Sequence, residues 1–170
     1  MSAHALSQKT IALLACSGFD EQPFVALQQA LVAAGAKVKV ISRDHGLTNG
    51  WANGVWGLSY PVDGALSETL AIDYDVMVVP TGERHSALLL NDPHGRRIIN
   101  AFLRENVPSL VIGTAIDAMA EKEMLDGYNR TADDISVDKN LVMATEAADT
   151  EAMVDALNKA LMNEGEAAAA

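Results

Sequence analysis

Few side chains in this sequence can do covalent chemistry, and they are scattered. Cys16 is the single cysteine among 170 residues that include four histidines. It ends a short apolar run, Thr10 to Cys16 (T-I-A-L-L-A-C), and Ser17 and Gly18 follow it. A thiol there could be a nucleophile if a base or cation lowered its pKa. It could also be a small buried hydrophobe, the commoner fate of a free cysteine. No histidine stands near it in sequence, although His85 could approach it in space. Arg84 and His85 follow Pro80-Thr81-Gly82. Such a pair could hold an anion, aided by amides at a helix start. It could equally be solvated, with Arg84 paired to a carboxylate. The turn Ile112-Gly113-Thr114-Ala115 contains neither cysteine nor serine. Its one hydroxyl, Thr114, stands three residues before Asp117. That spacing is close to a capping box, so the hydroxyl is expected to cap a helix rather than attack a substrate. Glu21 adds a carboxylate in the loop after Cys16. His45 and His94 fall in polar loops. With one cysteine and dispersed histidines, no metal motif and no cofactor are expected.

The overall charge narrows the partners. A formal charge of −11 and a pI near 4.6 argue against nucleic acid, whose phosphates need clustered Lys and Arg. They argue equally against anionic membrane surfaces. A lone cysteine rules out a disulfide within the chain and fits a reducing compartment. Met1 to Lys9 lacks the charged start and apolar run of a signal peptide. No apolar run approaches the roughly 18–20 residues that span a bilayer. A cytoplasmic protein is expected.

The elements that must position these residues can be read from periodicity. Thr10 to Cys16 suits a strand buried on both faces. Phe24, Leu27, Leu31 and Ala34 then share one helix face, with Pro23 in the first turn and Gly35 at the end. Val38, Val40 and Ile41 form the next strand, completing a unit expected to cross over right-handedly. Tyr74 to Pro80 is a third strand, and a helix from about Asp92 to Glu105 comes after it. Ser109 to Ile112 is a fourth strand, succeeded by a helix from Thr114 to about Met124. A weaker strand pair, Ile135 to Val137 and Leu141 to Ala144, precedes a last helix from Thr150 to Met162. Between Gly46 and Tyr60 lie four glycines, two asparagines and both tryptophans. Asn49-Gly50 and Asn53-Gly54 read as turns of a hairpin excursion, and Leu66 to Leu70 as a short helix. Trp51, Trp56 and Tyr60 could form a partner surface or a lid, or simply anchor an irregular loop. Alternating strands and helices predict a flavodoxin-like α/β three-layer sandwich with a mostly parallel central sheet. A single domain is expected over residues 1–170, with 1–8 and 164–170 as flexible ends. Ligands in such sheets bind beyond the carboxyl ends of the strands.

Three stretches in order resemble the ThiJ/PfpI superfamily, the glutamine amidotransferase-like, cysteine-dependent group. "TIALLACSGFDEQPFVALQQALVAAGAKVKVIS" resembles its first strand–helix–strand. "YDVMVVPTGERHSALLLNDPHGRRIINAFLRENVPSLVIGT" resembles its central block, with Pro80-Thr81-Gly82 where Pro-Gly-Gly is usual. "MLDGYNRT" resembles the run after the nucleophile helix. The resemblance implies the fold, dimerisation, and hydrolase, deglycase or glyoxalase-type activity. It also locates a departure. The family's cysteine falls at Gly113, its following histidine at Thr114 and its supporting acid at Pro23, so no catalytic residue is carried over. This pattern resembles the non-catalytic domain at the C-terminus of large-subunit catalases. The sequence therefore points to a degenerate member that binds a protein partner, a second copy of itself or a small anionic ligand. Candidate ligand-binding residues are Cys16, Glu21, Arg84, His85, Thr114 and Asp117. The alternative is an enzyme of the same superfamily using Cys16.

Overall fold

A computed structural model describes residues 5–169. The first half of the expected leader, 1–4, and residue 170 lie outside the described residues. The rest of the leader is held in place. Leu6 is fully buried, and the Ala5 and Leu6 amides donate to Asn158 Oδ1 on the last helix.

The chain opens with β1 (Thr10–Leu14), a two-residue β2 (Phe19–Asp20) and α1 (Glu21–Ala33), followed by β3 (Lys37–Ser42). Helix α1 begins with Glu21, so Pro23 is its third residue, where an amide would have no partner inside the helix. It ends in a Schellman motif: Ala36 N–H donates to Leu31 O and Gly35 N–H to Val32 O. The excursion then builds β4 (Leu47–Ala52) and β5 (Val55–Pro61). Asn53 and Gly54 take φ of 54° and 79°, the primed turn a two-residue hairpin needs. Asn49-Gly50 is not a turn. It lies within β4, where the pairing with β5 slips between Asn49 and Trp51.

A short β6 (Gly64–Ala65) and two 3-10 turns, Leu66–Glu68 and Ala71–Asp73, lead to β7 (Val76–Val79). No helix is expected from the sequence between Pro80 and Asp92, yet Glu83–Asn91 forms helix α2. Four of its residues, His85, Ser86, Leu89 and Leu90, are buried, which explains a helix carried by packing more than by pattern. Asp92 caps α3 (Pro93–Arg104) by accepting from the His94 amide at 2.8 Å. Next come β8 (Ser109–Ile112), α4 (Thr114–Glu121), β9 (Ile135–Asp138), β10 (Leu141–Ala144) and α5 (Thr150–Ala169).

The main sheet has the order β6-β3-β1-β7-β8-β10-β9, parallel throughout except for β9. A small second sheet, β2-β4-β5, stands beside it. Strand order reverses direction between β1 and β7, so a crevice opens at their carboxyl ends. Alternation along β1 divides the core. Ile11, Leu13 and Ala15 pack with Phe24, Leu31 and Leu157 of α1 and α5. Ala12, Leu14 and Cys16 pack with Ile98, Phe102 and Ile116 of α3 and α4. This is a three-layer α/β fold with a mostly parallel sheet. Among the described residues no helix is long and apolar enough to cross a membrane.

Candidate functional site

The turn from β8 to α4 sets the geometry of the crevice. Gly113 adopts φ 56°, ψ −122°, a backbone conformation that residues with a Cβ reach only under strain. The space beside it is occupied. A Cβ built there would lie 2.8 Å from Glu146 Cγ and 2.9 Å from Thr81 Cβ, and nearer still to Thr81 Oγ1. Thr81 comes from the end of β7 and Glu146 from the loop after β10.

Two threonines lock this turn to its neighbour. Thr114 N–H donates to Thr81 Oγ1 at 3.1 Å, while Gly82 N–H donates to Thr114 Oγ1 at 2.9 Å. The Thr81 hydroxyl itself donates to Glu146 Oε1 at 2.7 Å. Ser86 Oγ lies 3.0 Å from Thr114 Oγ1. The capping box expected from Thr114 and Asp117 therefore does not form. Gly113 is the N-cap, without a side-chain bond, and Thr114 is already the first helical residue. Its hydroxyl points across to the start of α2 and serves that helix instead. The Thr114 amide, which a bound anion would use, is satisfied by Thr81. Asp117 is exposed on a separate groove of about 390 Å³ between α2 and α4.

Cys16 and His85 do meet, but inside the protein. Cys16 N–H donates to His85 Nδ1 at 2.9 Å, and His85 Nε2 donates to Pro80 O at 2.9 Å. Both ring nitrogens are thus engaged, and the ring is neutral and fully buried. Burial pushes its pKa down to about 4. The Cys16 thiol is buried too, and desolvation pushes it up to about 12. A thiol so held stays protonated at neutral pH and is a poor nucleophile. The imidazole staples the end of β1 to the end of β7.

Arg84, one residue earlier, faces outward. Its guanidinium lies 4.6 Å from the Trp51 ring centre and 5.7 Å from that of Trp56. The two indoles meet edge to face at 5.0 Å. Arg84 is therefore stacked on the hairpin rather than paired to a carboxylate. Glu21 holds the same hairpin from α1. Its carboxylate accepts from Leu58 N–H, and its side chain fills the space beside Gly50 and Gly57. A Cβ at either glycine would collide with it, which accounts for glycines within these strands. Phe19, Phe24 and Tyr60 stack beneath. His45 faces Glu68 at 3.0 Å on the surface, and His94 is exposed.

Pro23, where the resemblance places the family's supporting acid, lines the open part of the crevice together with Asp20 and Glu146. A cleft of about 420 Å³ runs from Asp20 and Pro23 to Ile112, Glu146 and Met153. Asp20 is the N-cap of α1, yet its carboxylate caps nothing. Desolvation, then the charge of Glu146, raise its pKa above the usual carboxylate range. An adjoining lobe of about 350 Å³ contains Trp51, Glu83 and Arg84, and shares Asp20 and Glu146 with the first. Asp20 carried a signal, an acidic residue just before a helix. Glu146 carried none, because it reaches the site from the far side of β10. Among the described residues no cluster of three or more potential metal ligands exists.

Solved structures share this architecture at low identity. A two-domain protein from Anabaena variabilis, with DJ-1/ThiJ/PfpI-like and ferritin-like domains, is 19% identical with a TM-score of 0.81, matching 91% of this chain and 48% of its own. A ThiJ/PfpI domain protein from Brachyspira murdochii is 20% identical with a TM-score of 0.77, over 92% of this chain and 98% of its own. A DJ-1 superfamily protein from Salmonella typhimurium, solved as a cysteine-to-alanine mutant, is 16% identical with a TM-score of 0.73, over 94% and 97%. No curated protein matches. The model of the DJ-1/PfpI family matches residues 9–160, and the chain belongs to the DJ-1/PfpI family.

Proposed function

We propose that this chain acts by binding rather than by thiol catalysis, as a degenerate member of its family. One observation carries the reading. The volume that a side chain at position 113 would need is taken by Thr81 and Glu146. A site awaiting a nucleophile would leave that volume free. The single thiol gives no substitute, since Cys16 is buried and protonated. The resemblance to the catalase C-terminal domain agrees with a fold retained without its chemistry, because fold and activity are separable.

Methylglyoxal turnover tests this reading. Wild type and Cys16→Ser are expected to give equal rates at background. A wild-type rate that Cys16→Ser abolishes overturns it and restores the enzyme. Binding by self-association is part of the same proposal. Strand β5 is the open edge of its sheet and exposes Val55, Trp56 and Leu58, a pattern suited to an interface. Light scattering is expected to report a dimer, and a strict monomer removes that part.

A further inference from the structure

We propose that the two-lobed cleft binds a small organic ammonium ligand with an aliphatic body, its cationic head held between Asp20 and Glu146. The proposal rests on the reading of this chain as a binding protein and names the ligand class of that site.

Shape and charge divide the cleft into matching halves. The larger lobe, about 420 Å³, falls within the roughly 300–1,000 Å³ of small-molecule pockets. Ala26, Leu27, Ile112 and Met153 give it apolar walls. The smaller lobe adds Glu83 and Arg84. Asp20 and Glu146 line both, so they stand where the apolar and polar halves join.

The ionisable groups around the join do not balance. Asp20, Glu83 and Glu146 face one cation, Arg84, whose guanidinium is stacked on Trp51 and Trp56. Among the described residues neither Asp20 nor Glu146 makes a salt bridge. Glu146 accepts from the Thr81 hydroxyl, while the Asp20 carboxylate has no hydrogen-bond donor at the helix it precedes. The Asp20 carboxylate, partly desolvated and repelled by Glu146, is relieved by a cation placed between the two. An anion gains nothing there. The Thr114 amide is already used by Thr81, and the carboxylate-bearing Glu146 side chain lies beside the Gly113 turn. A bare metal ion fits poorly, since among the described residues Asp20, Glu83 and Glu146 do not converge into a group of three that could hold one. The apolar lobe would also contribute nothing to it. An amine with a short hydrocarbon body uses both halves.

Calorimetry and thermal shift with hexylammonium chloride test this, beside sodium hexanoate and magnesium chloride at matched ionic strength. Hexylammonium is expected to bind saturably and raise Tm, since a ligand of the native state stabilises it. Asp20→Asn and Glu146→Gln should each weaken binding about tenfold, as for loss of one charged partner. Ala26→Trp, which narrows the apolar lobe and leaves both carboxylates, should weaken it as well, and circular dichroism checks each fold. No saturable response, an equal response to hexanoate, a response to magnesium alone, or undiminished binding in the Asp20→Asn/Glu146→Gln double variant each overturns the proposal. Absent ammonium binding with background methylglyoxal turnover overturns the ligand class alone. Turnover that needs Cys16 overturns the non-catalytic reading alone.

Discussion

Two knots at the carboxyl edge of the sheet use opposite chemistry. Around Cys16 and His85 the residue types are reactive but the surroundings are dry. The thiol is buried, the imidazole is neutral, and every polar atom of the ring has a backbone partner. Around Gly113 no reactive type is present, yet that side opens to solvent through a cleft edged by Asp20 and Glu146. Reactivity depends on environment more than on residue type. Burial converts a cysteine and a histidine into packing and a strand-to-strand staple. Exposure leaves two carboxylates available to a ligand.

The contrast breaks most completely at His85. Replacing it with Leu leaves the Cys16 amide and the Pro80 carbonyl buried without partners, so a loss of about 3–5 kcal/mol is expected. Urea unfolding at neutral pH measures it, and a loss below about 1 kcal/mol would deny the staple. The pH dependence is the next effect. Folding lowers the His85 pKa from 6.5 to about 4, so the unfolded chain binds the proton more tightly. The contribution of neutral His85 is therefore complete above the unfolded value and is lost as pH falls from 6.5 towards 4. The expected loss is about 3 kcal/mol. Unfolding free energies across that window, compared with His85→Leu, isolate it, because the variant should lack this slope.

The Gly113 side offers smaller effects. Gly113→Cys should cost about 2–3 kcal/mol, from the positive φ and from the collision with Thr81 and Glu146. Measured against Thr81→Gly alone, the same cysteine should cost less, because the Thr81 share of the collision is gone while the Glu146 share remains. An equal cost of Gly113→Cys in both backgrounds would mean that Thr81 does not fill the nucleophile's place. The smallest effect is at Asp20, whose raised pKa means that its charge is disfavoured in the folded state. Its contribution is present below the unfolded value of about 3.8 and diminishes as pH rises through the folded value. Asp20→Asn should therefore raise Tm slightly at pH 7, and a fall would contradict the repulsion from Glu146.

Much of the fold could be read from local pattern. The nearly all-apolar runs beginning at Thr10 and Ser109 became central parallel strands, and the Phe24–Leu31 stripe became the buried face of α1. Helix α2 escaped notice because Pro80-Thr81-Gly82 signals a turn, whereas burial of Leu89 and Leu90 makes the next nine residues helical. Asn49-Gly50 resembled a turn, but Glu21 needs the space that Gly50 leaves inside β4. Thr114 resembled a cap for its own helix, but the Gly113 turn moves it into the helix and aims its hydroxyl at Gly82.

The sequence by itself determined the layered α/β architecture, the absence of a cysteine at the Gly113 turn and the acidic charge. Periodicity and composition are local or additive properties, and they survive without contacts. Only the tertiary structure decided that Cys16 and His85 are sealed, that Thr81 and Glu146 fill the space at Gly113, and that Asp20 and Glu146 share a cleft. Those outcomes depend on desolvation and on neighbours brought from β1, β7 and the loop after β10, which no spacing along the chain encodes.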